Sequence, residues 1–295
     1  MDGVLVIDKP QGLTSHDVVV AARRELRESR IGHTGTLDPL ATGVLPLAVG
    51  RATRLVRFMT ASDKEYSATV RFGLTTDSYD ITGTGTGGSG EVPSREAIEG
   101  AVRQLTGCYL QTPPAFSAKK VGGRRAYRLA RQAQAVDLAP VPVCVSHAEL
   151  RDLAGSCATV VLTCSAGFYV RAFAHALGQL TGPGACLAAL RRTRSGEFSL
   201  DIAMSLDALS DRARIARDLI PLGSILQKLP AMTVTARGRT RVAHGRELNA
   251  DDVAQSGEAT EPGGWVRLLD EGGDLVALAQ AGRLPGSLHP SVVLI

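Results

Sequence analysis

The residues best suited to do chemistry lie in one segment, GHTGTLDPLATGVLP (32–46). The segment is rich in glycine and threonine, lacks apolar periodicity and holds Asp38 directly before Pro39. Because a residue before proline is restricted to extended or turn conformations, a loop is predicted here. A carboxylate fixed on a loop above a sheet can present a nucleophile or a base to a ligand. Spacing alone favours a simple turn over a catalytic aspartate.

The same segment resembles the catalytic signature of the TruB family of tRNA pseudouridine synthases. Further blocks resemble the family's other motifs and follow in the family's order. They are GVLVIDKPQGLTSHDVV (3–19), DKEY (63–66), QTPPAFSAKKVGGRRAYRLAR (111–131), GFYVR (167–171) and LRRTRSGEF (190–198). The C-terminal part resembles the small RNA-binding PUA module, with AHGREL (243–248) as its best local match. The blocks span the part before this module almost completely.

On this resemblance, Asp38 is the catalytic aspartate, which attacks the uridine at the sugar C1′ or at the base, or removes the 2′ proton. The glycosidic bond breaks, the uracil rotates, and a carbon–carbon bond forms through C5. Arg171 is the expected partner of Asp38, because guanidinium and carboxylate form a charge-assisted pair. Tyr66 corresponds to the active-site tyrosine, which stacks on uracil and can take the C5 proton. The pattern alone also fits Arg171 as a surface charge and Tyr66 as a half-buried strand residue.

The resemblance also places residues against RNA. His33 is suited to fill the gap that a flipped-out base leaves, and Leu190 to pack against that base; a polar loop residue and a helix-core residue are the alternatives. Lys64 shares a strand face with Tyr66 and is expected to contact a phosphate. Residues 111–131 resemble a thumb-like insertion that grips the RNA stem-loop. Its predicted phosphate contacts are Lys119, Lys120, Arg124 and Arg125.

Basic residues are unevenly distributed, although the net charge is only +4. The first basic cluster lies between Cys108 and Val136, where no acidic residue occurs, and two further basic clusters follow. Three clusters separated by near-neutral sequence favour one face that tracks a polyanion, whereas any single cluster fits solvated loops equally well. The second cluster is Arg191, Arg192 and Arg194, and the third is Arg237, Arg239, Arg241 and Arg246.

Composition speaks against several classes of protein. No apolar run is long enough to cross a bilayer and the start of the chain lacks a signal-peptide pattern, which predicts a cytoplasmic protein. The six histidines show no HxxxH or HExxH spacing, so a metal site has little support. The five cysteines are scattered and form no CxxC, which predicts reduced thiols.

The element pattern predicts an α+β fold in two parts. Residues 1–227 are expected to form a large mixed-sheet catalytic domain with a thumb-like insertion at about 108–136, and residues 228–295 a small, PUA-like β-barrel. The first part is expected to hold a strand over 3–8, a helix capped by Ser15, a loop over 30–43 and a helix over 169–181. Short strands are expected in the second part over 232–236, 265–269, 275–279 and 291–295.

The combined prediction is an enzyme that isomerises one flipped-out T-loop uridine of tRNA, conventionally position 55, without a metal or organic cofactor. It is expected to bind the T stem-loop as a monomer, with no obligate protein partner and no membrane attachment. An RNA-guided relative within a ribonucleoprotein and a non-catalytic RNA-binding or chaperone protein are the alternatives. A metal-dependent hydrolase built on Asp8, Asp38 and Asp77 is a third, although it lacks ligands at suitable spacing.

Overall fold

The computed structural model describes residues 1–117, 119–121, 123–126, 129, 132, 134, 138–255 and 264–295. Part of the predicted thumb therefore lies outside the described residues. The described backbone forms a ten-stranded mixed sheet, a five-stranded sheet near the C-terminus and two two-stranded ribbons. This is the predicted α+β architecture. In the described part of the chain, no helix is both long and apolar enough to cross a membrane.

The large sheet and the ribbons are formed by residues 3–205. The strands are β1 (Gly3–Lys9), β2 (Ile31–His33), β3 (Thr42–Val49), β4 (Lys64–Phe72), β5 (Thr75–Thr76), β6 (Gly85–Gly87), β7 (Gly107–Gln111), β8 (Lys120–Val121), β9 (Arg124–Arg125), β10 (Val141–Ala154), β11 (Cys157–Cys164), β12 (Ala185–Ser195), β13 (Phe198–Ser199) and β14 (Met204–Ser205). The large sheet runs β14-β1-β3-β12-β4-β11-β10-β7, with β2 added to β3 and β13 to β12. The antiparallel pairing of β12 with β4 places Arg192 opposite Tyr66.

The helices connect the strands of both sheets. They are α1 (Ser15–Leu26), α2 (Val56–Thr60), α3 (Arg95–Gln104), α4 (Val170–Thr181), α5 (Arg212–Asp218) and α6 (Ala236–Ala243). The predicted cap of α1 is wrong by one residue, because Thr14 caps the helix and exchanges hydrogen bonds with Asp17. Ser15 is thereby released for another contact. Helix α6 falls in a region where the sequence predicts strands and turns.

The two faces of the large sheet bury different partners. Side chains alternate along β1, so Leu5 and Ile7 join a core with helices α1, α3 and α4, while Val4 and Val6 join a second core on the other face. That second core includes Leu275 and Leu278 of the C-terminal sheet. Burying one such aliphatic side chain contributes about 1.5–3 kcal/mol, so the two sheets are joined by a substantial apolar contact.

The C-terminal sheet begins at Ala231. Its strands are β15 (Ala231–Val234), β16 (Val253–Gln255), β17 (Val266–Leu269), β18 (Leu275–Ala281) and β19 (Leu288–Val293), in the order β16-β15-β17-β18-β19. A third apolar cluster, which includes Val234, Val242 and Val276, lies within this part. The expected strands are present, with shifts of a few residues at their ends.

The prediction that all five cysteines are reduced thiols is wrong for two of them. Cys108 and Cys144 form a disulfide, whereas Cys157, Cys164 and Cys186 are free. The two bonded residues are directly opposite each other in the β7–β10 ladder. Scattered spacing in the sequence gives no sign of this, because the pairing depends on the register of two strands that are far apart along the chain.

The basic clusters are less free than their sequence suggests. Arg191 lies 2.8 Å from Asp8, and Arg239 lies 3.4 Å from Asp270. Asp252 is fully buried and is shared by two arginines of the third cluster, Arg237 at 3.1 Å and Arg241 at 3.2 Å. Much of the charge in the second and third clusters is therefore compensated within the protein.

Candidate active site

Asp38 is held by contacts on both sides of it along the chain. The backbone N–H of Leu37 donates to Oγ of Ser15 at 2.8 Å. After Asp38, the N–H of Ala41 donates to the Asp38 carbonyl at 3.0 Å, which closes a turn with Pro39 at its second position. The loop is therefore fixed to helix α1, while the Asp38 side chain is 40% exposed and open to a ligand.

Arg171 lies in the first turn of helix α4 and points at Asp38. Its Nε is 2.9 Å from Oδ2 of Asp38, and its own side chain is only 7% exposed. Its Nη1 donates to the carbonyl of Ser78 at 3.1 Å, and its Nη2 donates to that of Phe116 at 2.9 Å. Because all three nitrogens are engaged, the guanidinium holds the carboxylate in one orientation. The structure thus places Arg171 against Asp38, as the sequence predicts.

A second carboxylate, that of Asp80, lies behind Arg171. Its Oδ2 is 3.6 Å from Nη1 of Arg171, and the Asp80 side chain is buried. Its Oδ1 accepts hydrogen bonds from the Ser78 hydroxyl at 3.0 Å and from the Thr82 N–H at 3.0 Å. Buried charges persist where they are paired and hydrogen-bonded. Asp38, Arg171 and Asp80 form a line of alternating charge that leads from the cleft into the protein.

Tyr66 and Leu190 line a pocket of about 260 Å³ together with Asp38 and Arg171. Both side chains are buried and lie on the neighbouring strands β4 and β12, so Leu190 belongs to a strand and not to a helix core. Burial raises the pKa of the Tyr66 phenol, and the charge of Arg192 opposes this effect. Tyr66 is therefore a neutral phenol at physiological pH.

Arg192 forms part of the wall of this pocket and is 1% exposed. Its Nε donates to the carbonyl of Val44 at 2.7 Å and its Nη2 to that of Gly35 at 3.1 Å, which ties β12 to the loop of Asp38. A Cβ at Gly43 would lie 2.2 Å from the Arg192 carbonyl oxygen, and Gly43 has a φ of +101°. Position 43 therefore requires glycine. The sequence predicts that Arg192 belongs to an exposed basic cluster, and the burial of its side chain contradicts this prediction.

Lys64 is buried in the same pocket wall. Its ammonium donates to the backbone carbonyls of Thr60 and Ser62. The sequence predicts a phosphate contact for Lys64, whereas in the structure its ammonium points at these two carbonyls, which lie just before it along the chain. Loss of hydration, together with the charge of Arg192, lowers the pKa of Lys64 to about 8.

Lys9 is a second buried lysine next to the site. Its Nζ donates to the carbonyls of Pro10 at 2.8 Å and Leu13 at 2.6 Å. Burial lowers the pKa of Lys9 to about 8, although the nearby carboxylate of Asp38 acts in the opposite direction. The structure thus places Lys9 beside the Asp38 loop.

Lys9 and Lys64 should titrate apart from the other lysines. The chain has five lysines, so carbon NMR of ε-labelled lysine should resolve two signals with midpoints at about pH 8. The ordinary lysine pKa, which both groups recover in the unfolded chain, is about 10.4. Lys9→Arg and Lys64→Arg should each remove one early signal. In the unfolded chain both groups stay protonated to higher pH, so their contribution to the free energy of unfolding rises between these two values. If all five lysine signals had titration midpoints above about pH 9.5, the burial of Lys9 and Lys64 would be contradicted.

His33 lies in a wider part of the cleft, of about 600 Å³, on the open side of Asp38. Its Nδ1 accepts a hydrogen bond from the Gly35 N–H at 3.3 Å. Burial, followed by the charge of Arg192, lowers the pKa of the His33 imidazole. The ring is therefore neutral at physiological pH and free to stack. His16, Phe116 and Ser117 line the same part of the cleft.

The predicted phosphate contacts of the thumb are only partly described. The side chains of Lys119 and Arg124 are exposed, and Nη2 of Arg124 donates to Oε1 of Gln132 at 2.9 Å. The backbones of Lys120 and Arg125 pair with each other in the β8–β9 ribbon, while their side chains lie outside the described residues.

The carboxylates proposed for a metal-dependent hydrolase do not converge. Asp8 is 2.8 Å from Arg191, and Asp77 accepts a hydrogen bond from the Thr84 N–H at 2.8 Å. Across the described ranges, no three His, Cys, Asp or Glu side chains are grouped so that they could hold a metal ion. This alternative therefore has no site among the residues described.

The sequence predictions omit Asp80 and give Ser15 and Arg192 roles that differ from those in the structure. Asp80 is missed because its contact with Arg171 joins a turn to a distant helix, although a run of Asp, Ser and Thr at 77–82 does indicate a turn. Ser15 was assigned to a helix cap. Arg192 carries no sequence signal that separates a buried arginine from its exposed neighbours.

The fold is that of the pseudouridine synthases, and the paired Asp38 and Arg171 lie in its cleft beside Tyr66. Solved structures of this fold include the archaeal box H/ACA sRNP Nop10–Cbf5 complex, with a TM-score of 0.76 and 25% identity over 99% of this chain and 86% of that chain. A Cbf5–Nop10–Gar1 complex matches with a TM-score of 0.74 and 28% identity over 95% of this chain and 78% of that chain.

Sequence comparison specifies the family within this class. Residues 23–170 match the family described as TruB family pseudouridylate synthase (N terminal domain). A relative from Solibacter usitatus named tRNA pseudouridine synthase B is 45% identical over the full length of both chains. One of the same name from Mycobacterium bovis is 41% identical over 98% of each chain. The chain belongs to the TruB family of pseudouridylate synthases.

Proposed function

We propose that this protein isomerises a T-loop uridine of tRNA, conventionally position 55, to pseudouridine. The observation that carries the proposal is the 2.9 Å contact between Asp38 and Arg171, in a pocket that Tyr66 and Leu190 also line. Full-length relatives at 41–45% identity bear the name tRNA pseudouridine synthase B, which supports tRNA as the substrate.

In this proposal, Asp38 is the group that reacts with the uridine. Its carboxylate attacks the sugar or the base, or removes the 2′ proton, and the N1–C1′ glycosidic bond breaks. The uracil then rotates and forms a C5–C1′ bond, after which C5 loses its proton and N1 gains one. Arg171 orients the carboxylate, and Asp80 holds Arg171 from behind. A carboxylate that is fixed before the substrate arrives avoids the entropic cost of orienting it during the reaction.

The target uridine must leave the stack of the loop to reach Asp38. We assign Leu190 to packing against the flipped uracil and the neutral ring of His33 to the gap that the base leaves. Tyr66 is assigned to stacking. Because burial raises its pKa, the phenol can accept the C5 proton only if it releases its own proton at the same time, which makes it a weak base.

We propose two further regions for RNA binding outside the pocket. The thumb at about 108–136 would contact phosphates through Lys119, Lys120, Arg124 and Arg125. The part at 228–295 would be a PUA-like RNA-binding domain, which its separate sheet and its own apolar cluster support.

Phosphate contacts of the thumb predict a salt effect. Lys119→Ala and Arg124→Ala should each lower the slope of log affinity against log salt by about one, because each contact releases about one counterion. The measurement is fluorescence anisotropy of end-labelled tRNA at several salt concentrations. Arg71→Ala is the matched control, since Arg71 is an exposed arginine on β4. Parental slopes in both thumb variants would remove these residues from the interface.

The proposed reaction can be tested directly. Purified protein should release tritium from C5-labelled uridine in an unmodified T stem-loop RNA, without guide RNA, without protein partners and in the presence of EDTA. Activity that appears only when a guide RNA is added would favour the RNA-guided alternative.

We further propose that the protein acts in the cytoplasm and as a monomer. Light scattering of the free protein and of its tRNA complex should each report a single copy of the chain.

A further inference from the structure

A second cavity, of about 460 Å³, lies between helix α2, the end of β12 and the segment that leads into the C-terminal sheet. Its aromatic wall is formed by Phe58 and Trp265, whose rings pack edge to face with 4.7 Å between centroids. The guanidinium carbon of Arg57 lies 4.7 Å from the Phe58 centroid and 5.2 Å from the Trp265 centroid. Aromatic rings and a guanidinium plane are the surfaces on which unpaired bases stack.

The cavity also carries cations suited to a phosphate. The side chains of Arg57 and Lys228 are exposed and have no acidic partner among the described residues. Glu197 is the single carboxylate in the described lining, and it is occupied by the backbone N–H groups of Leu226 at 2.7 Å and Gln227 at 3.4 Å. Two available cations beside an apolar ring surface suit the phosphate and the base of a nucleotide.

A buried hydroxyl in the lining supports a polar ligand. Ser195 is 1% exposed, and its Oγ has no hydrogen-bond partner among the described residues. Buried polar groups without a partner are destabilising and therefore rare in proteins. A base edge or a ribose hydroxyl in the cavity would supply the missing partner.

The cavity is close to the active site along one strand. Arg192 lines the pocket of Asp38, and Ser195, three residues further along β12, lines the second cavity. Three residues of a strand span about 10 Å, which about three stacked nucleotides also cover. Thr60 and Ser62 likewise lie on the two cavities in turn. A strand of RNA with its uridine at Asp38 can therefore reach the second cavity.

We propose that this cavity binds a second nucleotide of the same tRNA, outside the target uridine. Its base would stack on Trp265 and on the guanidinium of Arg57, its phosphate would lie between Arg57 and Lys228, and Ser195 would hydrogen-bond to its polar edge. This inference rests on the proposed function, because it takes tRNA as the substrate. It adds a contact that fixes the RNA strand beside the reacting uridine.

Trp265 is the single tryptophan of the chain and reports on the cavity directly. Its fluorescence should be quenched on titration with an unmodified tRNA transcript, with the same midpoint as RNA anisotropy. Arg57→Ala should weaken tRNA binding about tenfold, the effect of losing one stacking contact of about 1.4 kcal/mol. Ser195→Ala should weaken binding several-fold and should not lower thermal stability, because the hydroxyl has no hydrogen-bond partner to lose among the described residues. Arg71→Ala should behave as the parent in both assays.

The outcomes separate this inference from the proposed function. Normal tritium release and tRNA binding, with constant Trp265 fluorescence and parental affinity of Arg57→Ala, would overturn the second site alone. Quenching by uridine 5′-monophosphate with no response to tRNA would make the cavity a free-nucleotide site and would also overturn it. Absence of both tRNA binding and tritium release would reject both proposals.

Discussion

Replacing Asp38 by asparagine should abolish pseudouridine formation while tRNA affinity stays within a few-fold of the parent. Asparagine has the same shape and can still accept a hydrogen bond from Arg171, but its amide is neither a nucleophile nor a base. We expect the rate of the chemical step to fall by at least about 10⁴-fold, as for other residues that react with the substrate. Single-turnover tritium release should measure the rate, and anisotropy of labelled tRNA the affinity.

Two comparisons make the Asp38 result specific. Asp251→Asn carries the same change at an exposed residue far along the chain and should keep parental activity. Thermal unfolding should show that Asp38→Asn is folded at the assay temperature, since Arg171 retains Asp80 and two carbonyls as partners. Turnover by Asp38→Asn within tenfold of the parent would show that another group performs the reaction.

The residues that contact the substrate in our proposal were predictable because each lies in a local motif. Asp38 is in a loop whose glycines and proline indicate that it is not a helix or a regular strand, and Tyr66 is in a strand with clear alternation. Arg171 follows GFYV at the start of a predicted helix. Local composition predicted the elements that carry these three residues, whereas only the family resemblance gave them roles.

Other parts of the site depend on strand register, which no local pattern reveals. The segment of β12 that includes Leu190 and Arg192 contains alanine, leucine and arginine, residues that favour helices. It is nevertheless a central strand, because pairing with β4 and β3 outweighs the intrinsic preference. That pairing places Arg192 opposite Tyr66. The register of β7 against β10 likewise places Cys108 opposite Cys144, which the sequence does not indicate.

The charge clusters were overestimated for a related reason. Net charge along the chain was counted over neighbours in sequence, whereas ion pairs form between neighbours in space. Asp252 forms ion pairs with both Arg237 and Arg241, although it is more than ten residues from either along the chain. Among the described residues, Lys228, Arg246 and Lys119 have no acidic partner, so fewer cations are available to a polyanion than the sequence suggests.

Replacing Arg171 by lysine should lower the rate of the chemical step by about 10²–10³-fold, although the charge is kept. A single ammonium cannot reach Asp38, the Ser78 carbonyl and the Phe116 carbonyl together, so the carboxylate loses its fixed orientation. A displacement of about 1 Å in a catalytic group can cost about 10²-fold in rate. Arg103→Lys, an exposed change on helix α3, is the matched control and should be neutral.

Asp80→Asn tests whether the charge behind Arg171 contributes to this effect. The amide retains the shape of the carboxylate and its hydrogen bonds to Ser78 and Thr82, so the fold should persist while one charge of the line is lost. We expect a rate loss of about tenfold or more, smaller than that of Arg171→Lys, with tRNA affinity unchanged in both variants. If Asp80 acts only through Arg171, the double variant should be no slower than Arg171→Lys alone. If the rate losses of the two single variants multiply in the double variant, Asp80 has a separate role. A parental rate in Arg171→Lys would show that the orientation of Asp38 does not depend on the guanidinium.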